Sequence, residues 1–164
     1  MKIMANAHIH FDYEIFDSIE SLPAADKFLL EKARAVTKIA YAPYSHFLVG
    51  ASALLQNGEV VQGANQENAS FPVGICAERT LLASAAMLHT DIPVETMAIA
   101  YHNLNGTSDV PVSPCGMCRQ ALAEYEDRTG QPIRLILSGM EGKIFIIPQA
   151  SLLLPLSFKG DVLK

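Results

Sequence analysis

"FLVGASALLQNGEVVQG", residues 47–63, sets two apolar runs on either side of an Asn-Gly pair. Residues 47–55 and 59–63 have the length of strands, and Asn57-Gly58 is a strong local signal for a hairpin between them. Upstream, Leu29, Ala33, Val36 and Ala40 recur at helical spacing, with Lys27, Glu31, Arg34 and Lys38 on the opposite face. Pro23 marks the expected start of this helix and Pro43 its stop. Downstream, a polar loop at 64–74 leads to a helix predicted from Ala77 to Leu88, and 95–101 reads as a strand. A second helix is expected from Gly116 to Glu126, broken by Gly130-Gln131-Pro132. Strands at 133–138 and 143–148 follow, then a short helix near 149–154 that Pro155 ends. The order α-β-β-α-β-α-β-β-α describes an α/β protein, a sheet with helices packed on its faces. Residues 1–22 show no clear periodicity and read as an N-terminal extension; 23–164 read as one domain without repeats or a linker.

The chain has 164 residues, half of them apolar and 18% charged, which suits one core-rich globular unit. The first residues lack the apolar stretch of a secretion signal, and no run approaches the roughly 20 apolar residues of a membrane helix. A cytoplasmic protein with reduced thiols is expected. Net charge is −5 and Lys and Arg are scattered. A nucleic-acid backbone or an anionic membrane is therefore a poor partner, whereas a small neutral ligand is not excluded.

Three cysteines cannot all pair with one another. Cys115 and Cys118 stand in "VPVSPCGMCRQAL" (110–122) and Cys76 in "GICAERTLLASAAM" (74–87). Each segment is a loop turning into a helix, where free N–H groups and the helix dipole favour thiolates. Three such sulfurs supply three of zinc's four tetrahedral positions and leave one open, as catalytic zinc sites do. A redox dithiol would explain Cys115 and Cys118 but give Cys76 no task. A closed structural zinc needs a fourth ligand, and none of the five histidines stands at short ligand spacing from a cysteine. Glu78, two residues after Cys76, favours the catalytic reading. A carboxylate beside an open zinc position can take a proton from water, whose pKa zinc lowers from 15.7 to about 7. Arg79, with Arg119 as a second candidate, could offset the charge of three thiolates by hydrogen bonding to the sulfurs.

The pattern "CAE" at 76–78 followed by "PCGMC" at 114–118 is the three-cysteine form of the zinc-deaminase signature. Four blocks in order, "YAPYSHFLVGASAL" (41–54), "NQENASFPVGICAERT" (65–80), "VSPCGMCRQ" (112–120) and "LLPLSF" (153–158), resemble the small homotetrameric cytidine deaminases. The resemblance implies a three-layer α/β/α fold with a mixed five-stranded sheet. It also implies hydrolytic deamination of free cytidine and deoxycytidine to uridine and deoxyuridine, with one Zn2+ per subunit and a pyrimidine nucleoside as the small-molecule partner. By the same resemblance Cys76, Cys115 and Cys118 bind the metal and Glu78 shuttles protons. Asn65 and Glu67 hold the ribose hydroxyls, and Phe47 lies against the pyrimidine. The backbone at Ala77 and Ser113 contacts the base, and Phe158 reaches a neighbouring subunit's site in the tetramer. Gln66 inside the Asn-x-Glu block and Met117 between the zinc cysteines depart from the family's pattern, as does the extension. A related deaminase of a modified cytosine nucleoside such as blasticidin S is disfavoured by "NQEN", and a non-catalytic zinc module leaves Glu78 idle.

Overall fold

The hairpin forms where the Asn-Gly pair places it. In the computed structural model, which describes residues 5–163, β2 (Phe47–Leu55) and β3 (Val60–Ala64) pair antiparallel from Leu54↔Val60 to Gly50↔Ala64. Asn57 Oδ1 accepts the Glu59 N–H at 3.1 Å, and the Gly58 N–H donates to Leu55 O at 2.9 Å. Gly58 takes φ 85°, a left-handed conformation that glycine adopts without a Cβ penalty. On its other edge β2 pairs antiparallel with β4 (Val94–Asn103), which runs parallel to β5 (Arg134–Ser138). β6 (Ile144–Ile147) returns antiparallel to β5.

The sheet has six strands where five were expected, in the order β1-β6-β5-β4-β2-β3. The added strand is β1 (Glu14–Phe16), antiparallel to β6 through Glu14↔Ile146 and Phe16↔Ile144. Three residues are too few to show alternation in sequence; they are a strand because β6 offers them an unpaired edge. Of the N-terminal extension, residues 1–4 lie outside the described residues.

Alternation along the central strands builds three layers. Met97 and Ile99 of β4 and Leu135 and Leu137 of β5 pack under α2 (Ala77–Leu88) and α3 (Gly116–Thr129). Ala98, Ala100 and Ile136 face the other way, with Leu29, Leu30 and Ala33 of α1 (Ala24–Val36). Period-2 alternation on doubly covered strands places apolar side chains in both cores. Among the described residues, no helix is long and apolar enough to cross a membrane.

Several boundaries differ from the sequence reading for local reasons. α1 ends at Val36 and passes into a 3-10 turn at Thr37–Ile39, well before Pro43. A Cβ at Gly50 of β2 would lie 2.2 Å from Ala33 O, so the end of α1 lies directly on the β2 backbone. Arg34, expected on the solvent face, is half-buried and donates to Gly139 O and Ser138 Oγ, both at 3.0 Å. α3 runs three residues past Glu126, to Thr129, where Gly130 at φ 65° caps it. Glu126 is buried, and its carboxylate accepts the N–H groups of Ile133 (2.8 Å) and Ala150 (3.0 Å). The helix expected near 149–154 is a 3-10 turn, Ala150–Leu153.

Candidate active site

Two helix starts meet over the carboxyl ends of β4 and β5. α2 reaches that position because β3 carries glycine beneath it. A Cβ at Gly63 would stand 2.5 Å from Ala77 O and 2.6 Å from Leu81 N. The helix therefore lies flush on the strand, with Cys76 at its N-cap and Ala77 and Glu78 buried. The loop before it is drawn shut by paired backbone bonds, Gln66 N–H to Ile75 O (2.9 Å) and Ile75 N–H to Gln66 O (3.0 Å). α3 starts from Cys115, with Cys118 in its first turn. Arg119 braces that turn, donating from Nε to Pro114 O and from Nη1 to Leu153 O, both at 2.8 Å. It thus serves two carbonyls rather than the sulfurs, for which it was only the second candidate after Arg79. Arg79 is half-buried, and among the described residues no hydrogen bond joins it to a sulfur.

Cys76 Sγ lies 3.8 Å from Cys115 Sγ, which lies 3.5 Å from Cys118 Sγ, and all three fall within 4.8 Å of one another. A tetrahedron of Zn–S bonds near 2.3 Å spaces its sulfurs by about 3.8 Å, so the donor set and its geometry fit a zinc ion. The cluster comprises those three donors and, among the described residues, no histidine. Without metal, the neighbouring Cys118 thiol draws the Cys76 thiol down to about 6, burial opposing it and the Arg79 charge assisting. The same proximity, with burial, pushes the Cys118 thiol up. Burial also pushes the Glu78 carboxyl above its ordinary value.

A cavity of ≈ 540 Å³ opens from this cluster, a volume within the range of small-molecule sites. Of the residues singled out in the sequence, Phe47, Asn65, Glu67, Cys76, Glu78, Ser113 and Cys115 line it. Cys118 and Ala77 are buried behind the lining, while Phe158 is 62% exposed and outside it. Asn65 accepts the Val49 N–H at Oδ1 (2.7 Å) and donates from Nδ2 to Phe47 O (3.0 Å). Glu67 Oε2 accepts the N–H groups of Tyr44 (2.9 Å) and Ser45 (3.3 Å). Burial opposes its charge, but bonds from the Ser45 side chain and the Tyr44 and Ser45 backbone outweigh that and hold the carboxyl below its ordinary value. The sequence reading missed Tyr101 and Phe71, which also line the cavity. Tyr101 becomes visible only through register, since it pairs across from Val49.

The family described as "Cytidine and deoxycytidylate deaminase zinc-binding region" matches residues 23–130, a span that contains all three cysteines and Glu78. The chain belongs to that family. It is 38% identical over 133 residues to a cytidine deaminase of Halalkalibacterium halodurans, covering 81% of this chain and 93% of that one. Over 86 residues it is 41% identical to a cytidine deaminase of Mycobacterium tuberculosis, covering 52% of this chain and 60% of that one. The crystal structure of cytidine deaminase from Burkholderia pseudomallei superposes with a TM-score of 0.70 at 37% identity, over 80% of this chain and 97% of that one.

Proposed function

We propose that the chain is a zinc-dependent hydrolase that deaminates free cytidine and deoxycytidine to uridine and deoxyuridine, releasing ammonia. One observation carries the reading: three sulfurs spaced for zinc sit beside a buried carboxyl, and two of them line, with that carboxyl, Asn65 and Glu67, a cavity large enough for a nucleoside. Cys76, Cys115 and Cys118 would hold the metal, which when bound supplies Lewis-acid activation of water near neutral pH. Glu78 takes one proton from the attacking water and passes it to ring N3, making C4 more electrophilic, and the water oxygen bonds to C4. Glu78 then takes the remaining proton from that oxygen and delivers it to the amino nitrogen, so that the C4–N bond breaks, ammonia leaves and a C4 carbonyl remains. A single carboxyl can serve these transfers because burial lifts its pKa towards neutrality. Phe47 lies against the pyrimidine and the backbone at Ser113 contacts the base, whereas Ala77, expected beside them, is fully buried behind the lining. Arg79 tempers the charge of the sulfurs, and its effect on Cys76 supports that role.

Asn65 and Glu67 bind the ribose hydroxyls. Glu67 Oε2 is engaged by backbone donors, which leaves Oε1 for a hydroxyl. An ionised carboxylate there is a poor neighbour for phosphate, so nucleosides are preferred over nucleotides. The working form is a homotetramer in which Phe158 of one copy reaches the site of the next. The exposure of Phe71 (75%), Val73 (64%), Met117 (63%) and Phe158 (62%) in the single chain supports a covering neighbour. Residues 23–164 form the deaminase domain, and Glu14–Phe16 of the extension lengthen its sheet. A cytoplasmic setting, where thiols stay reduced, suits three free ligands. The test is the loss of cytidine ultraviolet absorbance on adding zinc-loaded protein, repeated with deoxycytidine and CMP. Turnover of both nucleosides with far slower turnover of CMP is expected. No turnover overturns the reaction, and equal rates on CMP overturn the role of Glu67.

A further inference from the structure

The ring of Phe47 has an aromatic partner. Tyr101 lies parallel to it, with ring centroids 4.8 Å apart and an interplanar angle of 10°, inside the range of favourable offset stacking. The arrangement follows from register. Val49 pairs with Tyr101 and Phe47 with Asn103, so Phe47 and Tyr101 are diagonal neighbours on one face of β2 and β4. Tyr101 is 5% exposed, whereas Phe47 is only half-buried.

The backbone at Phe47 is fixed separately. His46, at φ 56°, turns the chain immediately before it, and the Phe47 N–H donates to Ser45 Oγ at 3.1 Å. Asn65 clamps the next stretch through Phe47 O and Val49 N. What these bonds leave free is rotation of the Phe47 side chain, and the Tyr101 ring opposes it. Both rings line the cavity, so the ring that Tyr101 holds is one a ligand can meet. A ring already fixed loses little entropy when a ligand meets it.

We propose that Tyr101 is a positioning residue for the nucleoside base, acting through Phe47 by locking the ring against which the pyrimidine packs. The proposal rests on the nucleoside reading above and on the place of Phe47 within it.

The experiment is a double-mutant cycle on zinc-loaded protein, reading KM and kcat for cytidine for wild type, Y101L, F47L, the double variant and Y101F. Y101L keeps apolar volume but loses the stack, and should raise KM roughly two- to tenfold, the range of an aromatic pair, with kcat changed less. Y101F, which keeps the ring, should recover most of that loss. The double variant should be no worse than F47L alone, because Tyr101 acts through Phe47. Zinc content and circular dichroism confirm that each variant is folded and loaded. Wild-type KM in folded Y101L overturns the proposal, as does a Y101F as impaired as Y101L, or additive losses in the double variant. If F47L itself leaves KM unchanged, the placement of the base against Phe47 fails; an inactive wild type marks failure of the reaction instead.

Discussion

The starts of α2 and α3 carry the same cap, a cysteine at the dipole's positive end, yet they are built oppositely. At α2 the residues after the cap are sealed, Ala77 at 0% and Glu78 at 4% exposure, because Gly63 lets the helix lie on β3 without an intervening side chain. At α3 the cap and its followers are open. Cys115 and Gly116 are exposed, Met117 is 63% exposed, and only Cys118 turns inward. A sealed turn keeps a carboxyl away from water and lifts its pKa. An open turn lets ligands approach a metal but cannot tune an acid. The difference suits α2 to the proton chemistry proposed for Glu78, and α3 to the supply of two of the proposed sulfur donors.

The largest effect expected from this contrast is at Glu78. E78Q keeps the shape of the sealed turn, so zinc content and nucleoside binding should persist while turnover falls by about 10²–10⁴-fold or more. The sign of its effect on stability is opposite. Because burial raises the pKa of Glu78, its ionised form costs the folded state free energy at pH values above the ordinary carboxylate range. Metal-free E78Q should therefore unfold at a higher temperature than metal-free wild type near pH 7. Substantial turnover by zinc-loaded E78Q would remove Glu78 from the mechanism.

Next in size is the glycine beneath the sealed turn. An Ala methyl at Gly63 would meet backbone atoms of Ala77 and Leu81 at 2.5 and 2.6 Å, which no rotamer change relieves. G63A must push α2 off β3, at a cost of about 1–3 kcal/mol or more, and misplace Cys76 and Glu78 together. Thermal unfolding and turnover should both fall; a variant as stable and active as wild type would show that α2 is not held by this contact.

Much of this site was legible before any fold was drawn, because its signals are local. The Ala77–Leu88 bounds of α2, the hairpin through Gly58 and the three cysteines at helix starts each depend on a few adjacent residues. What stayed hidden depends on partners far along the chain. Nothing near Glu14–Phe16 says that β6 will offer an edge. Arg34 fits the polar face of its helix by spacing, yet it finds Gly139 O across more than a hundred residues. Arg119 stands beside a sulfur in sequence but is satisfied by the carbonyls of Pro114 and Leu153. Tyr101 is one apolar residue among several in β4 until pairing with β2 sets it under Phe47.

Acid should separate the two helix starts again. In the metal-free protein Cys76, on α2, titrates at about 6, while Cys118, on α3, keeps its proton far higher. Zinc must displace whatever protons remain, so its apparent affinity should fall as pH drops and most steeply below about 6, by up to roughly tenfold per unit for each added proton. Competition with a chelator across pH 5 to 8 measures this. Glu67 behaves otherwise, since its pKa is held below the ordinary carboxylate value. Stability from its hydrogen bonds is present above that value and lost only as pH falls through the lower, folded one. KM for cytidine measured with zinc in excess should thus stay flat down to about pH 5. A rise in KM between pH 7 and 5 would contradict an ionised Glu67.

The smallest effect is expected at the open turn, and its smallness is informative. Nothing lies within 4 Å of a Cβ built on Gly116, and its backbone is not left-handed. G116A therefore meets no clash, and alanine's better helix propensity adds at most about 1 kcal/mol, less at a first helical position. The unfolding temperature of the isolated chain should hold or rise slightly. Activity tests something further. If α3 starts in open water in the working enzyme, turnover should follow stability and remain near wild type. If a second copy covers this face, as the exposed Met117 and Phe158 suggest, the new methyl meets that copy, and activity and assembly size fall together while the single chain stays intact. Sedimentation of G116A beside its turnover decides between an open end of the helix and a shared one.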